Sequence, residues 1–321
     1  MNRTIRLVAL IAVLSGGSSM VDAGDKTTMR AWNKLTPEEE QVIVQKGTEA
    51  PFTGRFEKFK NSGTYVCRRC GAALYRSEDK FDAGCGWPSF DAEIPGAVKR
   101  LPDADGRRVE IECQHCKGHL GHVFTGERLT PRDTRHCVNS ISMDFVPEAD
   151  STNRFERAVF AGGCFWGVEF YLQQAAGVIR TTVGYTGGKT KKPTYQEVCS
   201  HASGHAEAVE VIYDPFQTSF EKLARLFFEI HDPTQVDRQG PDMGDQYRSE
   251  VFYVNAAQKK AAETLIAELK TKGWNVVTRL EPSAAFWPGE DYHRNYYQRH
   301  GKLPYCHRPE PRFEKGPGRT Q

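Results

Sequence analysis

Apolar and polar positions follow three successive patterns along the chain. Arg3 and Arg6 precede an unbroken apolar run of eight, Leu7 to Leu14, and Val21-Asp22-Ala23 then places small residues at the −3 and −1 positions of a cleavage site. Eight apolar residues are too few to cross a hydrocarbon core, which needs ~20. Residues 1–23 are therefore expected to be a signal peptide cut after Ala23. Next, Thr36-Pro37-Glu38-Glu39 offers an N-cap, a proline at the first helical position and a capping-box glutamate, predicting a helix to about Gly47. From Thr64 to Phe145 the runs shorten or alternate (Thr64–Val66, Arg108–Glu112, Leu120–Phe124, Val138–Phe145), with Gly, Pro and Asp between them, as in a small mainly-β domain.

The polar, helix-averse stretch Pro147 to Asn153 marks a boundary, after which the pattern changes. A strand at Arg157–Ala161 runs into Gly162-Gly163 and a helix from about Cys164 to Ala176, stopped by Gly177. A second helix follows Ser219, with Phe220, Leu223, Phe227 and Ile230 on one stripe. A third follows Asn255, with Ala261, Leu265 and Leu269 as its seam and Gln258, Lys259 and Lys260 facing water. Strands are expected at Ala208–Tyr213, Glu250–Val254 and Val276–Leu280. The expected architecture is multidomain: a mainly-β zinc-containing domain over residues 32–147, then an α+β two-layer sandwich over 155–310.

Composition narrows the function. With 321 residues, 43 basic against 41 acidic side chains and a formal charge of +2, the chain lacks the concentrated basic field that draws a protein to a phosphate backbone, so nucleic acid is not an expected partner. Beyond the leader no window reaches the length of a membrane span. The mature chain is thus expected to be soluble, exported to the periplasm, and without stable membrane association.

Nine cysteines in an exported chain suggest a disulfide framework, but their spacing argues otherwise. Cys67-Arg68-Arg69-Cys70 and Cys113-Gln114-His115-Cys116 are two C-x-x-C knuckles 42 residues apart. Each short turn aims two sulfurs at one point, as a structural Zn2+ held by four thiolates requires. A thioredoxin-like redox motif would need a single such pair at a strand-to-helix junction.

Two of the remaining cysteines sit where a nucleophile would. Cys137 lies in Arg135-His136-Cys137-Val138-Asn139-Ser140, near His119 and His122, and downstream of Cys85-Gly86-Trp87-Pro88-Ser89-Phe90. An arginine two positions away on the same side of a strand favours the thiolate, and histidines supply protons near neutrality. A buried structural cysteine is the competing reading. Together with Gly-His-Leu-Gly-His-Val-Phe at 118–124, these motifs resemble methionine sulfoxide reductase B, the enzyme for the R-sulfoxide. The resemblance implies that Cys137 is the nucleophile, Cys85 the resolving cysteine and Trp87 part of the methyl pocket. It also implies that His119, His122, Arg135 and Asn139 bind or protonate the sulfoxide oxygen and polarise the thiol.

Cys164, in Gly162-Gly163-Cys164-Phe165-Trp166-Gly167, stands at the mouth of the predicted helix, where unpaired N–H groups and the helix dipole favour a thiolate. Phe165 and Trp166 offer an aromatic wall suited to a methyl-sulfinyl group, although most such pairs are simply core. Glu207 leads into an apolar strand, where a carboxylic acid keeps its proton; a solvated charge at a strand end is the alternative. Gly-Cys-Phe-Trp-Gly at 163–167, Gly-His-Ala-Glu-Ala-Val at 204–209 and Arg-Gln-Gly-Pro-Asp-Met-Gly-Asp-Gln-Tyr-Arg-Ser at 238–249 resemble methionine sulfoxide reductase A, which takes the S-sulfoxide. The resemblance implies Cys164 as nucleophile, Phe165 and Trp166 around the substrate methyl, Glu207 as acid, and Tyr195, Asp242 and Tyr247 at the polar end of the pocket. Where that family commonly has asparagine before the aspartate and threonine before the glutamine, this chain has Pro241 and Asp245. Cys306 matches a family resolving cysteine; Cys199 is read as a structural thiol.

The expected activity is repair of both sulfoxide epimers in oxidised proteins, through a cysteine sulfenic acid and an intramolecular disulfide. Neither half carries a thioredoxin-type site of its own, so a thioredoxin-like partner must return the electrons. Alternatives from other classes are a zinc-knuckle binding module fused to a thiol-disulfide oxidoreductase, and a disulfide isomerase of the exported compartment.

Overall fold

A computed structural model describes residues 32–103 and 106–317. The predicted leader, residues 1–23, lies outside the described residues, and no helix among those described is long and apolar enough to cross a membrane.

The first half opens with α1 (Pro37–Ile43), held by the predicted capping box: Thr36 accepts from the Glu39 N–H while the Glu39 carboxylate accepts from the Thr36 N–H. The helix stops well before Gly47, because Lys46 turns to φ +61° and its ammonium reaches Glu110 and Glu112 at 2.8 and 2.9 Å. Two antiparallel sheets follow. One is β2 (Ala73–Arg76), β1 (Gly63–Cys67) and β9 (Met143–Pro147), in that order. The other runs β3 (Lys80–Phe81), β4 (Ser89–Phe90), β8 (Thr134–Val138), β7 (His119–Thr125), β6 (Val109–Cys113), β5 (Val98–Pro102). The expected single run Val138–Phe145 is broken: Val138 ends β8, a 3-10 turn at Ser140–Ser142 redirects the chain, and β9 joins the other sheet. Fully buried aromatics join the sheets, with Tyr75 stacked on Phe90 at 4.4 Å and Tyr65 edge-on to Phe90 at 4.9 Å.

The second half is built on one sheet, ordered β16 (Arg279–Pro282), β15 (Ser249–Tyr253), β10 (Glu156–Gly162), β12 (Ala206–Tyr213), β11 (Val178–Thr186), β17 (Trp287–Pro288). Only the β15–β16 pair is parallel. Side chains alternate across it as a strand's period of two requires. Phe160, Val209, Val211 and Tyr213 share a core with α2 (Phe165–Leu172), α4 (Phe220–Ile230) and α5 (Ala256–Thr271), while Val159, Ala161, Ala206 and Ala208 point to the opposite face. Short α3 (Tyr195–Cys199), a hairpin of β13 (Arg238–Gln239) and β14 (Asp242–Met243), and α6 (Tyr296–His300) lie between and after these.

Three expectations need correction. The helix after Cys164 ends at Leu172, and tight turns carry the chain to Gly177 at φ +77°. Gln258 does not face water: it is 3% exposed, its amide oxygen accepting from the Val254 N–H and its nitrogen donating to the Arg157 carbonyl, and Ala262 completes the buried seam. The strand expected at Val276–Leu280 forms instead at Arg279–Pro282.

The two halves belong to one compact unit. Phe155 and Ile179 are buried in the first half's core, with Ile212 packed against it. Asp214 Oδ2 accepts from the Ala73 N–H at 2.8 Å, Gln217 donates to the Ala73 carbonyl at 2.8 Å, and the Arg76 guanidinium donates to the carbonyls of Val178 and Ile179. The junction itself is a 3-10 helix, Glu148–Asn153, rather than an open linker.

Candidate active sites and metal centre

The four knuckle cysteines converge. Cys67 closes β1, Cys113 closes β6, and their partners sit in the following turns. The sulfurs of Cys67 and Cys116 are 3.6 Å apart, as are those of Cys70 and Cys113, and all four ligand atoms lie within 4.8 Å of one another. A tetrahedron with metal–sulfur bonds of ~2.3 Å has edges of roughly 3.8 Å, so the cluster fits such an ion. β1 and β6 belong to different sheets, so a metal here fastens the two together.

In the first half, β8 places Cys137 between β4 and β7, directly opposite Ser89 on one side and His122 on the other, so all three share a face. Gly121 makes this pairing possible: a Cβ there would lie 2.0 Å from the Cys137 carbonyl oxygen. The Cys137 and Cys85 sulfurs are 3.9 Å apart, and Cys85 also meets Ser89 Oγ at 3.5 Å. Arg135 approaches Cys85 Sγ at 3.6 Å while its Nε holds Glu127 at 2.7 Å and its guanidinium stacks on Phe124. Trp87 donates to the Glu49 carbonyl at 3.1 Å, which fixes its ring. His122 Nε2 meets Asp103 at 3.0 Å, and buried His119 uses Nδ1 on Glu110 at 2.7 Å, leaving Nε2 without a partner among the described residues. Burial keeps the His119 ring below its usual pKa. Asn139 is turned inward: its side chain donates to the Leu120 carbonyl and accepts from the Glu49 N–H, so it holds two loops together.

In the second half Cys164 is the N-cap of α2, 6% exposed. Glu207, on the helix-facing side of β12, accepts from the Phe165 N–H at 3.1 Å. Burial pushes its carboxyl up to about 8, so it is protonated at neutral pH. Cys164 and Cys306 share a hydrogen bond. Asp242 accepts from the Tyr305 hydroxyl at 2.8 Å, and Glu207, Asp242 and Cys164 together hold the Tyr247 phenol protonated beside them, with burial as the main cause. The Tyr195 phenol, also raised chiefly by burial, faces Glu207 and hydrogen-bonds Cys199. Asp245, one of the two departures from the family pattern, instead meets exposed His201 at 2.9 Å.

Several supporting residues escaped sequence reasoning. Trp166 stacks on Tyr296 at 3.7 Å and donates to His293 Nδ1 at 3.0 Å, and His293 also packs on Phe165 at 4.9 Å. Glu290 accepts from the Tyr185 hydroxyl at 2.7 Å and from the Tyr195 N–H at 3.0 Å. Their only trace in the sequence is the spacing of Glu290, His293 and Tyr296, three residues apart.

The expected thiolates are not where Arg135 and the α2 N-terminus were to put them. Burial, then the charge of Cys85, pushes Cys137 up to about 12, outweighing Arg135. Cys164 is raised by its hydrogen bond with Cys306, by burial and by Glu207. In each pair it is the other sulfur whose pKa is lowered. The hydrogen bond from Cys164 and then His307 lower Cys306 to about 6, and Ser89, the Trp87 carbonyl, Cys137 and Arg135 lower Cys85 against the opposing effect of burial.

Two paired-thiol sites, one beside a protonated acid, define a cysteine-based oxidoreductase. The comparisons give its family. A profile described as "Peptide methionine sulfoxide reductase" matches residues 156–316, and one described as "SelR domain" matches residues 35–147. The Peptide methionine sulfoxide reductase MsrA of Nautilia profundicola is 47% identical over 150 residues, 47% of this chain and 87% of that protein. The MsrA of Methanosarcina acetivorans is 49% identical over 151 residues, 46% of this chain and 80% of that protein. The solved structure of reduced Mxr1 from Saccharomyces cerevisiae shares 31% identity, with TM-score 0.47, over 50% of this chain and 94% of that one. The chain belongs to the peptide methionine sulfoxide reductases, with a B-type half followed by an A-type half that reduce the R- and S-sulfoxide respectively.

Proposed function

We propose that each half works by the same two-step dithiol cycle on methionine sulfoxide in oxidised proteins. In the A-type half Cys164 Sγ attacks the sulfoxide sulfur while Glu207 gives its proton to the oxygen and is reprotonated by the proton the Cys164 thiol gives up. The hydroxyl then passes to Cys164 Sγ as the methionine S–O bond and the transient S–S bond break, releasing methionine and leaving Cys164 as a sulfenic acid. Phe165 and Trp166 receive the substrate methyl, while Tyr195, Tyr247 and Asp242 bind the polar end. Cys306 then displaces the oxygen as water and forms the Cys164–Cys306 disulfide. In the B-type half Cys137 is the nucleophile and Cys85 the resolving thiol, Trp87 lines the methyl pocket, and His119, His122 and Arg135 engage the oxygen. The low charge on each nucleophile at rest means that the thiol proton leaves only as the sulfoxide is engaged, which keeps the buried sulfur unreactive towards other electrophiles.

The observation that carries this reading is the pairing of Cys164 with both a resolving thiol and an acid protonated at neutral pH. Zn2+ on Cys67, Cys70, Cys113 and Cys116 would be structural, with no part in the chemistry. A thioredoxin-like dithiol supplies the two electrons that reopen each disulfide, and an exported, periplasmic location follows from the leader pattern at residues 1–23. We also read the A-type half as a two-layer α+β sandwich, from the helices sharing a core with one sheet face. The test is a single turnover on peptides carrying one sulfoxide epimer, followed by disulfide mapping. A Cys137–Cys85 bridge after the R-epimer and a Cys164–Cys306 bridge after the S-epimer are expected; any other pairing refutes the assignment.

A further inference from the structure

His307 follows Cys306 in the tail, yet its ring is 2% exposed and no step above uses it. Its Nε2 lies 2.7 Å from the Gly162 carbonyl oxygen, which only accepts, so that nitrogen carries the hydrogen. In the neutral ring Nδ1 is then a lone pair, and it faces Cys306 Sγ at 3.1 Å. The ring is closely seated. A Cβ on Gly167, in the first turn of α2, would fall 2.2 Å from Nδ1, and one on Gly163 would fall 3.3 Å from Cε1. The neighbouring backbone is pinned as well: Tyr171 donates to the His307 carbonyl and Gln239 to the Cys306 carbonyl, each at 3.3 Å. Gly162 is two residues before Cys164, so the same ring binds the tail to the loop bearing the nucleophile.

The Cys164 S–H whose hydrogen bond favours the Cys306 anion at rest is gone once Cys164 is a sulfenic acid, and the Cys306 thiol then has Nδ1 as its neighbouring acceptor at 3.1 Å. We infer that His307 is the general base of the resolving step, taking the Cys306 thiol proton on Nδ1 as Cys306 attacks the oxidised Cys164. This rests on the A-type cycle proposed above. The Cys306 S–H bond breaks and its proton goes to Nδ1; the Cys306 sulfur forms the S–S bond to Cys164 Sγ as the S–O bond of the sulfenic acid breaks. The departing hydroxide takes the proton back from Nδ1 and leaves as water, restoring the neutral ring. The Cys306 sulfur is oxidised as the sulfenic sulfur is reduced, so no outside oxidant enters. The base is fixed by a backbone acceptor rather than by a carboxylate, which sets its tautomer without adding a charge to the buried site. Among the described residues, the other titratable groups facing this corner include Cys164 and Glu207, Asp242 from β14, the phenols of Tyr171, Tyr297 and Tyr305, and His231 after α4, which burial keeps neutral, its pKa lowered to about 3.

The experiment uses the full chain with Cys137→Ser, so that only the S-site turns over, with and without His307→Asn. On one equivalent of S-sulfoxide peptide, His307→Asn should release methionine at the parent rate but form the Cys164–Cys306 disulfide about a hundredfold more slowly. Cys164 sulfenic acid should meanwhile be trapped by a 1,3-dione. Disulfide formation at the parent rate overturns the inference; absence of methionine from the His307-containing parent instead refutes the underlying reading. Should His307→Asn fail to fold, alkylation of Cys306 against pH in the Cys164→Ala chain, which removes the other hydrogen-bond donor to Cys306, decides when read by peptide mapping. Reactivity inflecting below the ordinary thiol value of ~8.5 supports the base, and inflection at or above it overturns it.

Discussion

Glu207 Oε2 accepts the backbone N–H of Phe165 at 3.1 Å, so the buried acid is tied to the first turn of the helix that carries Cys164 at its cap. That single hydrogen bond favours the carboxylate, and burial overrides it, leaving the carboxyl at about 8. A raised folded pKa means the protonated form is the one the fold favours. The acid is present at neutral pH and lost as pH rises through about 8, and the associated stability is lost over the same rise. Reduction of the S-epimer by the Cys137→Ser chain should therefore fall on an alkaline limb near pH 8. Glu207→Gln should lower the S-epimer rate by roughly 10²–10⁴ and abolish that limb. A pH–rate profile that stays flat from 7 to 9 in the parent would remove Glu207 as the acid.

The two sites should also separate by substitution. Cys164→Ser is expected to abolish turnover of the S-epimer alone and Cys137→Ser that of the R-epimer alone. Cys306→Ser and Cys85→Ser should each release one methionine per site and then stop when thioredoxin is the only reductant, because no disulfide forms for it to attack. Loss of both epimer activities from either nucleophile change, measured by chiral product analysis, contradicts independent sites.

Local chemistry was the readable part of the sequence. Thr36 reads as an N-cap and helices are expected to follow Ser219 and Asn255, because a helix start depends on residues three apart, and all three residues cap their helices. The two C-x-x-C turns likewise report their own geometry. What stayed hidden depends on partners distant in sequence. Gln258 reads as a helix-surface residue until Arg157 and Val254 are known to face it. The resting charge of the thiols was misjudged because Arg135 is visible two residues from Cys137, whereas the burial that outweighs it is a property of the assembled sheet. Ile179 and Asp214 look like ordinary core and turn residues, yet they reach the other half of the chain.

Removal of the metal should be felt in the B-type half first. Cys116→Ser is expected to take the bound zinc from about one equivalent to less than half and to lower the stability of that half by several kcal/mol, since a structural zinc site contributes directly to folding. The knuckles connect β1 in one sheet to β6 in the other, so the loss should separate two sheets that share Tyr65, Tyr75 and Phe90. R-epimer activity should then decay at a lower temperature than S-epimer activity in the same sample. Unchanged zinc content by metal analysis, or unchanged thermal decay of the R-epimer activity, refutes a stabilising metal.

The contact between the halves has its own signature. Ile179 belongs to β11 of the A-type half but is 6% exposed within the core of the B-type half, beside hydrogen bonds that Arg76, Asp214 and Gln217 make across the junction. Truncating a buried isoleucine leaves a cavity that costs about 2–5 kcal/mol, so a site shared by two cores passes that cost to both. The parent is expected to unfold in one transition, and Ile179→Ala should lower the denaturant midpoint and split that transition into two, with the R- and S-epimer activities lost at different concentrations. Asp214→Ala should act in the same direction by about 1–3 kcal/mol, because it leaves the buried Ala73 N–H without its acceptor. The two losses should fall short of additivity, since both sites open the same interface. Independent, fully additive effects with a single unsplit transition would mean that the halves touch without being coupled.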